Sequence, residues 1–168
     1  MEKKTKKNEL KNPKIEKVVI NVGVGKISQQ QEFESKILPE IINGLSLITG
    51  QKAVICKSNK SIAGFKLRAG QTVGLKITLR RQKMRDFVEK LINIALPRVR
   101  DFQGISLKNI DENGGLTIGV KEYLVFPEID SDISKFDFGL EISIVSSAKN
   151  KEEAIELYRQ LKLPLKKS

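Results

Sequence analysis

Apolar and polar residues alternate most regularly over residues 73–80, where Val73, Leu75, Ile77 and Leu79 interleave with Gly74, Lys76, Thr78 and Arg80. A period of two predicts a strand with one wholly apolar face and one face carrying two cations and a hydroxyl. Residues 15–22, β-branched and ended by Gly23-Val24-Gly25, predict a first strand, and residues 53–57 a short second one. Phe33, Ile37, Ile41 and Leu45 recur every four residues and predict a helix closed by Gly50, with a kink or late start at Pro39. Met84, Phe87, Val88, Leu91, Ile92 and Ala95 form a second helical stripe that Pro97 should stop. Residues 116–126 and 140–145 read as further strands, joined by an acidic connection over 127–139. Asn150 with Glu153 three residues on predicts a capped last helix, whose stripe is Ala154, Ile155, Tyr158 and Leu161. Few and mixed elements of this kind predict an α+β fold: a single two-layer domain, a mostly antiparallel sheet with helices packed on one face. Residues 1–14 predict a basic N-terminal arm, and residues 15–168 the domain itself.

Composition narrows the chemistry. The 168 residues include no histidine and one cysteine, Cys56. Ser-His and Cys-His nucleophiles, histidine-ligated metals and intrachain disulfides are therefore excluded. No long apolar run points to a membrane span, and the Lys-rich start has no apolar segment behind it to make a secretory signal.

The net charge of +11 is concentrated rather than spread. Residues 51–100 hold thirteen Lys and Arg against Asp86 and Glu89, whereas residues 101–150 are net acidic. Cations crowded on strand and loop positions point to a polyanionic partner over a merely solvated face. An anionic membrane fits less well, because no cationic amphipathic helix carries the charge.

The short motifs are weaker. Gly23-Val24-Gly25-Lys26 lacks the distal glycine and the Ser or Thr of a phosphate loop, having Ile20 and Ile27 there. Asp137-Phe138-Gly139 has none of the companions of a kinase metal site. Glu128, Asp130 and Asp132 lack the glycine and closing glutamate of a calcium loop. Cys56 is expected to be a small core residue. Phe65 is expected in the core as well, since aromatic rings are normally buried, with base stacking as the alternative. The stretch from Lys57 through Asn59, Lys60, Ser61, Lys66 and Arg68 supplies cations, hydroxyls and Gly64, a set suited to phosphate oxygens. Only 5% of the chain is aromatic, which favours recognition of folded RNA by backbone and shape over stacking of single strands.

Several longer blocks carry a family likeness. Ile15-Glu16-Lys17-Val18-Val19-Ile20-Asn21-Val22-Gly23-Val24-Gly25 resembles the opening strand of the large-subunit ribosomal protein L-five family. Thr49-Gly50-Gln51-Lys52, Lys60-Ser61-Ile62-Ala63-Gly64-Phe65-Lys66-Leu67-Arg68 and Leu96-Pro97-Arg98-Val99-Arg100-Asp101-Phe102 follow in order. So do Gly119-Val120-Lys121-Glu122, Phe126-Pro127-Glu128-Ile129-Asp130 and Ser147-Ala148-Lys149. The likeness covers residues 13–164.

The resemblance implies a non-catalytic, cofactor-free RNA-binding protein of the central protuberance of the ribosome. The Lys-rich start with its glutamates makes a poor transit peptide, which favours a bacterial-type cytoplasm over an organelle. It implies 5S rRNA, 23S-type rRNA, P-site tRNA, a small-subunit head protein and other central-protuberance proteins as partners. By position, 5S rRNA would meet Asn21, Gly23, Gly25, Lys57, Asn59, Lys60, Ser61, Lys76, Thr78 and Arg80. A loop over residues 66–74, through Lys66, Arg68, Gln71 and Thr72, would reach the tRNA. The small-subunit contact would fall near residues 105–115. Three departures stand out: a short stretch before the first strand where the family has a helical segment, Thr72 in place of a common proline, and Arg81 in place of a common glycine. The alternative, from another class, is an enzyme acting on a phosphorylated or nucleic-acid substrate through lysines and carboxylates.

Overall fold

In a computed structural model, residues 13–129 and 138–166 are described. Five antiparallel strands form one sheet in the order β2-β3-β1-β5-β4. They are β1 (Ile15–Gly23), β2 (Val54–Lys57), β3 (Thr72–Leu79), β4 (Leu116–Val120) and β5 (Leu140–Ser146). The helices are α1 (Leu38–Thr49), α2 (Arg81–Lys90), the single turn α3 (Leu96–Arg98) and α4 (Lys151–Gln160).

Alternation decides what each strand buries. Val18, Ile20 and Val22 of β1 go into the core with Leu75, Ile77 and Leu79 of β3, Ile142 and Ile144 of β5, and Leu116 and Ile118 of β4. Against them lie Ile41, Leu45 and Ile48 of α1, Phe87 and Val88 of α2, and Ala154 and Tyr158 of α4. A fully buried Val, Leu, Ile or Phe side chain contributes about 1.5–3 kcal/mol. Helices therefore cover one face of the sheet, and the α+β two-layer architecture is as the pattern predicts.

Both helix-interrupting prolines act as their chemistry requires. A five-residue π turn, Phe33–Ile37, leads into α1 with Pro39 in its first turn, and another, Leu91–Ala95, leads into α3 with Pro97 in its first turn. Proline has no N–H to donate and its ring crowds the carbonyl four residues back, so a widened turn ahead of it relieves both problems. Consequently Pro97 does not stop the second helical stretch, which runs on to Arg98. Gly50 closes α1 in the left-handed conformation (φ 65°). The Asn150 Oδ1 accepts the Glu153 N–H at 2.9 Å, and the Glu153 carboxylate accepts the Lys149 N–H at 3.1 Å, so α4 starts on a reciprocal cap.

Four further expectations need correction. The strand expected over 116–126 stops at Val120; Tyr123, Val125 and Phe126 then turn into the core through a short 3-10 segment, and Tyr123 stacks on Phe138. Pro13 and Lys14 are not part of a free arm, since Lys14 exchanges hydrogen bonds with Ser147, its N–H donating to the Ser147 Oγ at 2.9 Å and its carbonyl accepting the Ser147 N–H at 2.8 Å. Cys56 is half-buried rather than in the core, because its pairing with Gly74 puts it and Val54 (65% exposed) on the helix-free face, while Ile55 on the helix side lies open because the edge strand β2 falls outside the helical cover. Phe65 is 70% exposed, because it sits on a protruding loop with no second layer above it. The rest of the arm and most of the acidic connection, with Asp130, Asp132 and Asp137, lie outside the described residues.

Candidate nucleic-acid interface

The register of the strands assembles the helix-free face. Asn21 of β1 lies opposite Lys76 of β3 and Glu141 of β5, Lys76 lies opposite Val54, and Glu141 opposite Gly119. Paired residues point the same way, so Val54, Lys76, Asn21, Glu141 and Gly119 make one row across the sheet. Thr78, Val19, Ser143 and Thr117 make the adjacent row on one side, and Cys56, Gly74 and Gly23 the adjacent row on the other. Arg80 lies one residue beyond β3 but keeps extended backbone (φ −141°, ψ 163°), so it continues the exposed side of the alternation.

Two features of this face were not singled out from the sequence. Lys17, two and four residues before Val19 and Asn21, shares their face of β1 and adds a cation. Period two across Ile15-Glu16-Lys17-Val18-Val19 carries that signal. Glu141 places a carboxylate in the same row as Lys76, which only strand pairing reveals. The β2-β3-β1 half is therefore cationic, while the β5-β4 half offers Glu141 and the hydroxyls of Ser143 and Thr117.

At the glycine end the face sinks into a shallow depression of about 600 Å³, bordered by Asn21, Gly23, Cys56, Gly74, Gly119 and Glu141. A Cβ added at Gly23 or Gly119 would meet nothing within 4 Å. Packing does not require glycine at either place, and their bareness leaves the backbone open to close approach. Gly74 differs, since its Cβ would lie 3.1 Å from the Val22 carbonyl oxygen, which marks a close approach within the sheet itself. Gly25 sits just past β1 and its carbonyl accepts the Ser28 Oγ–H at 2.9 Å.

The β2–β3 connection is an extension of the strand pair rather than a slack loop. The Ser58 N–H donates to the Gln71 carbonyl and the Gly70 N–H to the Ser58 carbonyl, both at 2.8 Å. Further out, the Leu67 and Ile62 backbones bond to each other. Lys57, Asn59, Lys60, Ser61, Lys66 and Arg68 line it, and all six stand exposed. The Ser61 Oγ accepts the Ala69 N–H at 3.0 Å, which fastens the two arms. Lys66 has a positive φ of 51° at the tip.

Two residues expected to meet a partner here are committed inward. Gln71 spends its amide on the loop base: its Oε1 accepts the Arg68 N–H at 3.1 Å and its Nε2 donates to the Ser28 Oγ at 3.0 Å. Thr72 is 3% exposed as the first residue of β3, so its hydroxyl is not presented to a partner. The projecting segment thus ends at Gln71, and the cations at its tip are Lys66 and Arg68.

Near residues 105–115, Ile105 and Ile110 are buried, and the exposed positions include Lys108, Asn109, Glu112 and Asn113. A tight turn closes the segment, with the Asp111 Oδ1 accepting the Gly115 N–H at 2.7 Å. The Gly114 carbonyl accepts both the Tyr158 hydroxyl at 2.6 Å and the Ser146 hydroxyl at 3.0 Å. Burial pushes the Tyr158 phenol up to about 12.

Among the described residues no group of three or more acidic, cysteine or histidine side chains is placed to hold a metal ion. What the exposed set can do is neutralise phosphates with lysine and arginine, donate from Asn21 and Thr78, and admit a backbone against bare glycine. Those are the means of a non-covalent platform for a folded polyanion.

Comparison with known proteins gives the chain its lineage. The family model described as "Ribosomal protein L5" matches residues 8–68, and the model of the same ribosomal family's C-terminus matches residues 72–165. The chain is 50% identical over 161 residues to the large ribosomal subunit protein uL5 of Lacticaseibacillus casei, covering 96% of this chain and 87% of the relative. It is 49% identical over 167 residues to that of Leuconostoc mesenteroides, covering 99% and 91%. Against that of Geobacter sulfurreducens it is 50% identical over 159 residues, covering 95% and 87%. The chain belongs to the ribosomal protein L5 family.

Proposed function

We propose that this protein is a non-catalytic constituent of the large ribosomal subunit, on a bacterial-type cytoplasmic ribosome, that binds 5S rRNA through the helix-free face of its sheet. The observation that carries the reading is the continuity of Lys17, Lys76 and Arg80 on that face with Lys57 and Lys60 at the root of the β2–β3 extension. A sheet whose other side is occupied by its own helices has one broad surface left to offer. The cations and bare glycines on it suit a sugar–phosphate backbone, and the lack of stacking rings on its rows suits recognition by shape.

Lys66 and Arg68 at the projecting tip are the residues that reach P-site tRNA in this reading, with Phe65 beside them available to stack or to fill a groove. Its exposure supports that role over core packing. Lys108, Asn109, Glu112 and Asn113 supply the contact with a small-subunit head protein. 23S-type rRNA and other proteins of the central protuberance complete the surroundings.

The test is a filter-binding titration against 5S rRNA at several salt concentrations, with tRNA and a random duplex as competitors. Binding that selects 5S rRNA and weakens steeply with salt is expected. Equal binding to all three RNAs, or a flat salt response, would overturn the reading.

A further inference from the structure

Between α2, α4 and the start of β1 lies a groove of about 680 Å³. Its floor is aliphatic and arranged by helical spacing: Met84, Val88 and Ile92 recur every four residues on α2 and the turn after it, and Leu157 and Leu161 do so on and just past α4. Two such rows leave a valley of the kind that receives the ridge of a third helix. The rim is charged and unequal. Lys14, Arg81, Arg85 and Lys162 stand exposed around it, against Glu16 and Glu89. Arg81 holds its place at a positive φ of 54°, in a conformation that favours glycine.

The chemistry of this site separates its possible occupants. RNA would gain from the cations but leave the aliphatic floor unfilled. The chain's own first twelve residues hold five lysines, two glutamates and little aliphatic surface beyond Met1 and Leu10, so their net charge has the same sign as the rim's and is repelled by it. An incoming helix with an aliphatic stripe and acidic flanks satisfies both floor and rim. We propose that this groove docks such an acidic-flanked amphipathic helix from a protein partner, leaving the sheet face free for RNA.

Two synthetic helical peptides test this. They share a leucine stripe and differ only in carrying Glu or Lys beside it, and their binding to the full chain is followed by fluorescence anisotropy and by amide chemical-shift mapping. The acidic peptide should bind about tenfold or more tightly than the basic one, with shifts centred on Met84, Val88, Leu157 and Leu161. The double variant Arg81→Glu/Arg85→Glu, altered only at exposed positions, should reverse that preference while 5S rRNA binding and melting temperature stay unchanged. Equal affinity for the two peptides, or shifts elsewhere, would overturn the proposal. So would a tenfold loss of RNA binding in the double variant, which would make the rim an RNA contact. Deletion of residues 1–12 should leave the acidic peptide's affinity unchanged, and a tenfold gain would overturn the proposal by showing that the groove belongs to the chain's own start.

Discussion

Removing the two cations that β3 presents, in Lys76→Gln/Arg80→Gln, should weaken 5S rRNA binding in a way that salt identifies. Each phosphate left without its cation takes about 0.9 off the slope of log affinity against log salt, so two of them flatten it by about 1.8. Taking counterion release alone, affinity falls about 60-fold at 0.1 M salt and about 9-fold at 0.3 M. Both side chains are exposed, neither is in an ion pair among the described residues, and Gln keeps most of each aliphatic stem. Stability should therefore stay within about 0.5 kcal/mol of the parent by urea denaturation. Filter binding across a series of salt concentrations gives the slope directly. A parallel downward shift with unchanged slope would mean that the residues act on fold or shape rather than on phosphates. An unchanged affinity would remove the sheet face from the interface altogether.

Three further outcomes follow from the geometry. Gly23→Val should leave urea stability unchanged or slightly improved, since open space surrounds the new Cβ and valine favours a strand, yet lower 5S rRNA affinity at least about tenfold if backbone meets RNA there; full affinity would refute the close approach. Gly114→Ala should cost about 2–5 kcal/mol of unfolding free energy, combining a left-handed backbone with overpacking, because φ is 79° and the new Cβ would lie 2.8 Å from that of Ala154; a cost under about 1 kcal/mol would show that the turn relaxes freely. Burial holds Tyr158 protonated to about pH 12 against an ordinary value of 10.0. The unfolded chain loses that proton first, so the associated stability is complete below pH 10 and declines as pH rises towards 12, by about 2–3 kcal/mol. The difference in urea unfolding between the parent and Tyr158→Phe, measured at about pH 9 and about pH 11.5, should show it, and identical pH dependence in the two proteins would contradict it.

The sequence by itself determined the local periods. Val73 to Arg80 could be assigned faces without a structure, because side chains on a strand alternate whatever the strand pairs with, and the apolar set must find the core. The helical stripes, the Asn150 cap and the close of α1 at Gly50 were legible for the same reason: each is settled by residues within one or two turns of each other. Lys60, Lys66 and Arg68 were legible as exposed cations because lysine and arginine are rarely buried. What only tertiary structure decided was which elements are neighbours. β1 lies between β3 and β5, and that pairing brought Glu141 into the row of Lys76 and Asn21 from far along the chain. Pairing with β3 turns Val54 and Cys56 to the helix-free face, and the helical cover ends before β2, which leaves Ile55 on the other side 40% exposed in a run that reads as core. Phe65 stands out in solvent because the strand pair beneath it extends past the second layer. Gln71 and Thr72 read as loop ligands, and it took Ser28 from a distant segment and the first rung of β3 to turn them inward. Short-range order is set by steric and hydrogen-bond rules that each residue carries with it. Exposure and shared surfaces depend on where the second layer stops, and no window of sequence contains that boundary.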